Sequence, residues 1–217
     1  MGRYDTVLFD LDGTLTDSAP GILNCVRYAL DRMGLPEPDD MLRFVGPPLI
    51  VSFGEFCGLD SARAAEAVGY YRERYRDIGI FENKPYDGVF PMLDSLKAAG
   101  IRLAVATGKP EAFSLRILEK FGLMGYFEFL GGDDFEGSRK EKHTVIEYVL
   151  SALGDPDREG VLMVGDRMHD VIGAHESGIK CLGALWGYGG STELEKYGAD
   201  LTAEDPQSAA RIILSDI

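Results

Sequence analysis

Basic residues are in short supply in this chain. Lys and Arg number 22 against 36 Asp and Glu, a formal net charge of −14. A protein this acidic repels polyanions, which argues against nucleic-acid polymers and anionic membrane surfaces as partners. A small anion remains possible, because a few local donors or one metal ion bind it against an unfavourable net charge. Cysteine is scarce as well. Cys25, Cys57 and Cys181 are odd in number, far apart and without CxxC spacing. That excludes a disulfide framework and predicts free thiols in a reducing compartment, the cytoplasm. The few histidines, His143, His169 and His175, lack metal-ligand spacing and are expected on helix surfaces. No apolar run reaches the length of a membrane span, and the N-terminal stretch holds none long enough for a signal peptide. Neither an internal repeat nor a low-complexity tract is present.

What the chain does have is 45% hydrophobic and 27% charged residues over 217 positions, ordinary for a globular protein with one large domain or a domain bearing an insertion. Short, nearly continuous apolar runs at Tyr4–Phe9, Ile101–Ala106, Phe127–Leu130, Val161–Val164 and Ile179–Ala184 predict strands covered on both faces, with a weaker one at Asp200–Thr202. Helical patterns alternate with them. One runs from Gly88 to a stop at Gly100, a second from Pro110 to Gly122, a third from about Lys140 to Gly154 and a fourth from Met168 to Gly178. The alternation predicts an α/β fold: a doubly wound, parallel-sheet, Rossmann-like core.

Between Phe9 and Ile101 no core strand is expected. Asp17 or Ser18 is read as capping a helix with Ile22, Val26, Leu30 and Met33 on one face, ended by Gly34. Further helical patterns cover 49–56 and 62–77, where Tyr70, Tyr71 and Tyr75 are expected to pack. Residues 17–84 therefore read as a helical insertion after the first strand. The core is expected to comprise 1–16 and 85–217.

The informative stretch is LFDLDGTLTD, residues 8–17, with Asp10 and Asp12 at the end of a buried strand. In open α/β sheets, ligands bind beyond the carboxyl ends of the strands. Thr107-Gly108-Lys109 and Gly165-Asp166 occupy two other strand ends, with Asp170 four residues on and Lys142 near a helix start. In a parallel sheet these groups converge. Several carboxylates at one edge repel unless a cation sits among them, and oxygen ligands beside a phosphate suit Mg²⁺. Hydroxyl, lysine and helix N-terminal amides complement phosphate oxygens. Gly108-Lys109 also looks like the tail of a phosphate-binding loop, but Leu103 stands where the first glycine is needed and Pro110 where Ser or Thr is needed. Gly187-Tyr188-Gly189-Gly190 reads as a loop at the domain edge.

Asp10-Leu11-Asp12-Gly13-Thr14-Leu15, Thr107, Lys142 and Gly165-Asp166-Arg167 with Asp170 resemble the four ordered motifs of the haloacid dehalogenase-like hydrolases. The likeness spans the whole chain, because the insertion sits where that family carries a helical cap. Within the family the chain is similar to the phosphoglycolate phosphatase-like and 5′-nucleotidase-like groups. The resemblance implies that Asp10 is the nucleophile and Asp12 the general acid and base. It implies that the Asp10 side chain, the Asp12 backbone carbonyl and Asp166 hold Mg²⁺, and that Thr107 and Lys142 bind the phosphoryl group. Asp170 would orient Lys142 or a metal-bound water. The backbone amides of Leu11 and Gly108 would face phosphate, while Arg43, Gly46 and Lys109 are candidate substrate contacts.

The expected activity is Mg²⁺-dependent hydrolysis of small phosphomonoesters, with nucleoside 5′-monophosphates or phosphoglycolate as the leading substrates. The alternative is a sugar phosphomutase, which usually carries more basic cap residues. Dehalogenases of the family lack the second aspartate. A phospho-acceptor switch needs neither Asp12 nor a cap. The expected partner is a small-molecule phosphate ester, and the chain is expected to be a monomer or homodimer.

Overall fold

The structure is a computed structural model that describes residues 4–134 and 139–215. The chain forms two compact units, Met1–Thr16 with Pro85–Ile217, and Asp17–Lys84. Among the described residues no helix is long and apolar enough to cross a membrane.

The first unit opens with strand β1 (Thr6–Phe9). Two-residue strands β2 (Thr16–Asp17) and β3 (Lys84–Pro85) lie where the chain leaves and re-enters this unit. The α/β alternation continues through β4 (Arg102–Pro110), β5 (Phe129–Asp133), β6 (Val161–Gly165), β7 (Lys180–Ala184) and β8 (Leu201–Ala203). Six of these strands form one parallel sheet in the order β5-β4-β1-β6-β7-β8. The order reverses at β1, so β4 and β6 flank it on opposite sides, and a crevice opens beyond the carboxyl ends of these strands.

Period-2 alternation sends side chains to both faces, and both are apolar, as a sheet covered on two sides requires. One face buries Leu8, Ala104, Ala106, Val161, Met163 and Cys181 against Val145, Ile146, Val149, Val171 and Ala174 from the helices named next. The alternating set Val7, Phe9, Leu103, Val105, Leu162 and Val164 is equally buried.

The second unit contains α1 (Ala19–Met33), α2 (Leu49–Cys57) and α3 (Ser61–Tyr75). The first unit then adds α4 (Val89–Ala98), α5 (Glu111–Lys120), α6 (Lys142–Ala152), α7 (Met168–Glu176), α8 (Gly190–Tyr197) and α9 (Pro206–Ser215). Gly34 ends α1 at φ 66°, the left-handed geometry glycine adopts without a Cβ clash. Ser18 takes the N-cap position of α1, but its side chain does not make the expected capping bond. Ser18 itself is in the right-handed helical region rather than extended, and a proline occupies the first turn.

Other boundaries differ from the sequence reading. Strand β4 runs on to Pro110 instead of stopping at Ala106, because its pairing with β5 resumes at Pro110 and Asp133 after a register shift. Strand β5 ends at Asp133 rather than Leu130. A Cβ on Gly131 would lie 2.4 Å from Val149 Cγ2, so close helix packing selects glycine there. The third predicted helix, α6, begins at Lys142. Helices α8 and α9 were not singled out by periodicity.

In the second unit α1 packs on α3 and α2 on α3. Phe44 meets Phe53 and Phe56 edge-on, with centroids 5.2 and 5.3 Å apart. Tyr71 and Tyr75 stack at 5.2 Å, and Arg32 lies 4.6 Å over the Tyr70 ring. Arg74 grips Glu82 with two hydrogen bonds of 2.6 and 2.8 Å. These bonds hold the Glu82 carboxyl below its usual range, outweighing partial burial.

The Glu82→Gln variant is expected to lower the unfolding free energy by about 1 kcal/mol at neutral pH, allowing for solvent screening. A carboxyl whose folded pKa is depressed stabilises the fold above its unfolded pKa, and that contribution is lost as pH falls through the folded value. Denaturant unfolding of both proteins at neutral pH and at about pH 3 should therefore show the difference shrinking toward acid. A difference independent of pH would contradict the ion-pair account.

Candidate active site

The residues of interest in the first unit meet at the carboxyl ends of β4, β1 and β6, the three adjacent central strands. Asp10 directly follows β1, and its amide continues the sheet ladder by donating to Val164 O at 2.9 Å. The chain then turns back. Leu11 O accepts the amides of Leu15 and Thr16 at 3.0 and 2.9 Å, and the Gly13 amide donates to Thr16 O at 2.8 Å. Gly13 has φ 86°, and a Cβ there would sit 2.3 Å from Asp166 Oδ2. Glycine is thus required twice over, by the turn and by the carboxylate behind it.

Lys142, the first residue of α6, reaches into the sheet edge with its side chain 8% exposed. Its ammonium donates to Asp10 Oδ1 at 2.7 Å and lies 2.6 Å from Asp170 Oδ1. Asp170 sits in the first turn of α7, where its other oxygen accepts the Arg167 amide at 3.0 Å. Both Asp170 oxygens are therefore engaged, one by the lysine and one by the helix start. The Thr107 hydroxyl bonds Asp10 and also accepts the Lys109 amide at 3.3 Å. Thr107 and Lys109 lie within β4, so neither caps a helix; Pro110 takes the N-cap position of α5.

Asp12 does not join this group through its side chain. Its carboxylate forms an ion pair with Lys109. The sequence reading had offered Lys109 as a substrate contact; the structure gives it this acidic partner. Gly108 is exposed, with open space where a Cβ would be. Leu11 is buried and its carbonyl closes the turn. Arg43 and Gly46 belong to the second unit. Both are exposed, and the Arg43 guanidinium lies 4.1 Å over the Phe56 ring.

Among the described residues, Asp10, Asp166 and Asp170 form a cluster of carboxylates whose nearest ligand oxygens lie within 4.8 Å of one another. All three are buried, Asp166 completely. Burial, with help from Asp170 and Asp10, pushes the Asp166 carboxyl well above the usual range. Burial also raises Asp10, against the pull of Lys142. Burial alone would lower Lys142, but the attraction of Asp10 and Asp170 wins and holds it above a free lysine. Three carboxylates face one ammonium, leaving two negative charges in excess when all are ionised. Buried charge of that kind is strongly unfavourable without a counter-ion. The donor set is oxygen only, which fits a hard divalent cation.

The sequence reading missed one contributor. The loop Gly187–Gly190, expected to be peripheral, closes on Asp166. The Tyr188 amide donates to Asp166 Oδ2 at 2.7 Å, and the Thr14 hydroxyl donates to Oδ1 at 3.3 Å. The signal in sequence was three glycines in four positions, which marks close backbone approach as readily as a turn.

The profile of the haloacid dehalogenase-like hydrolases matches residues 7–184 of this chain. A Pseudomonas aeruginosa protein named 5′-nucleotidase is 43% identical over 208 residues, which cover 93% of this chain and 94% of that protein. Tyrosine-protein kinase PtkA of Mycobacterium tuberculosis is 44% identical over 192 residues, 88% of this chain and 65% of that protein. The crystal structure of a predicted phosphatase from Clostridium acetobutylicum matches with a TM-score of 0.91 at 41% identity, over 98% of this chain and 99% of that one. With its central strand-end motifs inside the matched span, the chain belongs to the haloacid dehalogenase-like hydrolase family, and within it to the phosphatases.

Proposed function

We propose that the protein is a Mg²⁺-dependent phosphatase of small phosphomonoesters that works through an aspartyl phosphate on Asp10. The observation that carries this reading is the buried Asp10 carboxylate, held by Lys142 and Thr107 beside Asp166. Asp10 Oδ2, the oxygen that does not take the Lys142 bond, attacks phosphorus. The new P–O bond to Asp10 forms as the ester P–O bond breaks, and Asp12, which enters this step protonated, gives the leaving alcohol its proton. Asp12 then accepts a proton from water as that water attacks phosphorus, and the bond to Asp10 breaks. Inorganic phosphate leaves and both carboxylates return to their starting state. Between the two transfers Asp12 is ionised, the form that the Lys109 ion pair holds in place.

The Asp10 side chain, the Asp12 backbone carbonyl and Asp166 would hold Mg²⁺. When bound, the ion supplies positive charge for the phosphoryl oxygens and relieves repulsion among the acids. Lys142 and Thr107 bind the transferring group, with the Leu11 and Gly108 amides as further donors to it. Asp170 keeps Lys142 in place.

Nucleoside 5′-monophosphates and phosphoglycolate are the leading substrates, in keeping with the relative named 5′-nucleotidase and with the family likeness. The helical unit 17–84 is the proposed cap that selects among esters, with Arg43 and Gly46 as candidate contacts. The free cysteines support a reducing compartment, the cytoplasm.

The direct test is phosphate release from nucleotides, phosphoglycolate, sugar phosphates and an aryl phosphate, with Mg²⁺ and with excess chelator. Release that requires Mg²⁺ is expected. Asp10→Asn should reduce it by about 10³-fold or more while leaving the circular dichroism spectrum unchanged. Hydrolysis that survives in this variant would overturn the site assignment. Asp12→Asn should slow aspartyl-phosphate breakdown by about 10²–10⁴-fold, read by rapid-quench single turnover. An unaltered breakdown rate would remove Asp12 from the mechanism.

A further inference from the structure

The segment Trp186–Gly189 has no part in the bond-making steps, yet it touches the candidate cation site more closely than any loop requires for connection alone. It follows β7 and leads into α8. Four contacts tie it to the ends of β1 and β6. The Tyr188 amide donates to Asp166 Oδ2 at 2.7 Å. The Trp186 indole N–H donates to the Thr14 carbonyl at 3.0 Å, and the Thr14 hydroxyl in turn reaches Asp166 Oδ1. A Cβ on Gly187 would lie 2.2 Å from Asp166 Cβ and 2.5 Å from Gly13 O. One on Gly189 would lie 2.1 Å from the Asp166 carbonyl oxygen.

Neither of these two glycines has a positive φ, so backbone conformation does not demand them. Proximity to Asp166 does. The far end of the loop is fastened by Glu193 of α8, which accepts from Arg167 Nε at 2.9 Å and from the Met168 amide at 2.8 Å. Asp166 is thereby contacted by Gly13 and Thr14 of the turn and by the loop, which also touch each other at Gly187 and the Gly13 carbonyl. A carboxylate buried among like charges turns away from them unless something holds it. Hydrogen bonds to its oxygens and a backbone packed on its Cβ restrict that turn.

We propose that Trp186–Gly189 is a positioning element that fixes the Asp166 carboxylate in the orientation a divalent cation needs, Tyr188 through its amide, Gly187 through close packing and Trp186 through the Thr14 turn. The proposal rests on the reading of Asp10 and Asp166 as cation ligands. The loop acts on the affinity for the cation, and not on the attack at phosphorus.

The test titrates the full chain with Mn²⁺, a paramagnetic probe for the Mg²⁺ site, by electron paramagnetic resonance without substrate. Wild type, Gly187→Ala and Trp186→Phe are compared, with thermal unfolding of each in chelator and kcat at saturating Mg²⁺. Gly187→Ala should weaken Mn²⁺ binding by about 10- to 100-fold, the usual effect of disturbing a residue behind a metal ligand. Trp186→Phe keeps an aromatic ring and deletes one donor, so a loss of roughly threefold to tenfold is expected. In both variants kcat should recover at saturating Mg²⁺, which a general loss of folding would not allow. Unchanged Mn²⁺ affinity in every variant that folds, beside a wild type that binds, overturns the positioning role alone. Wild-type protein that binds no Mn²⁺ overturns the cation reading and this proposal with it. Should Gly187→Ala fail to fold, Trp186→Phe decides.

Discussion

The ammonium of Lys142 lies 2.7 Å from one carboxylate and 2.6 Å from another, while a third acid stands beside them. Much of the first unit is explicable as the means of holding that arrangement. Burial raises the energy of every charge in it, and one lysine does not balance three acids. The acids must therefore be restrained by neighbours and supplied with further positive charge. The restraints are visible. Asp10 is fixed by the sheet ladder and by Thr107, Asp170 by the start of α7, and Asp166 by the turn at Gly13 and the loop at Tyr188. The oxygen-only donors fit the further charge to a hard divalent cation.

The sheet order explains why these groups can meet. Strand β1 is central, and the chain passes to β4 on one side and to β6 on the other. Residues more than 150 positions apart, such as Thr14 and Asp166, become hydrogen-bond partners. The two apolar faces of the sheet bury Leu8, Val164 and their neighbours completely, so the strand ends are rigidly based. A site built on strand termini inherits that rigidity, and the proposed phosphoryl transfer demands oriented groups of that kind. Lys142 gains the same from its place at the start of α6, where Gly173 of α7 comes so close that a Cβ would lie 2.7 Å from the lysine Cβ.

Legibility from sequence was uneven for physical reasons. Apolar strand runs and helix stops declare themselves through local periodicity, and the parallel α/β core followed from them. Asp10, Asp166, Asp170 and Lys142 were legible because each stands just past a strand or in the first turn of a helix, whereas Thr107 lies inside β4 and the Asp12 side chain turns to Lys109 instead. Where long-range packing overrode a local signal, the reading fell short. The apolar run ends at Leu130, yet Gly131 and Gly132 are strand residues too, because Val149 and the Lys109 carbonyl leave no room for a side chain. The Gly187–Gly190 loop looked peripheral for the same reason: glycine spacing does not say what approaches it.

What the sequence determined by itself is the chemistry on offer: paired aspartates after a buried strand, a threonine, a lysine and a further aspartate pair, in a chain of net charge −14. Composition and period are local properties, and they suffice for that. The tertiary structure alone decided the partnerships. Lys109 pairs with Asp12, Lys142 divides itself between Asp10 and Asp170, and a distant glycine loop closes on Asp166. Such contacts depend on which strands neighbour β1 and on how closely backbones approach, and neither quantity is written in any short stretch of the chain.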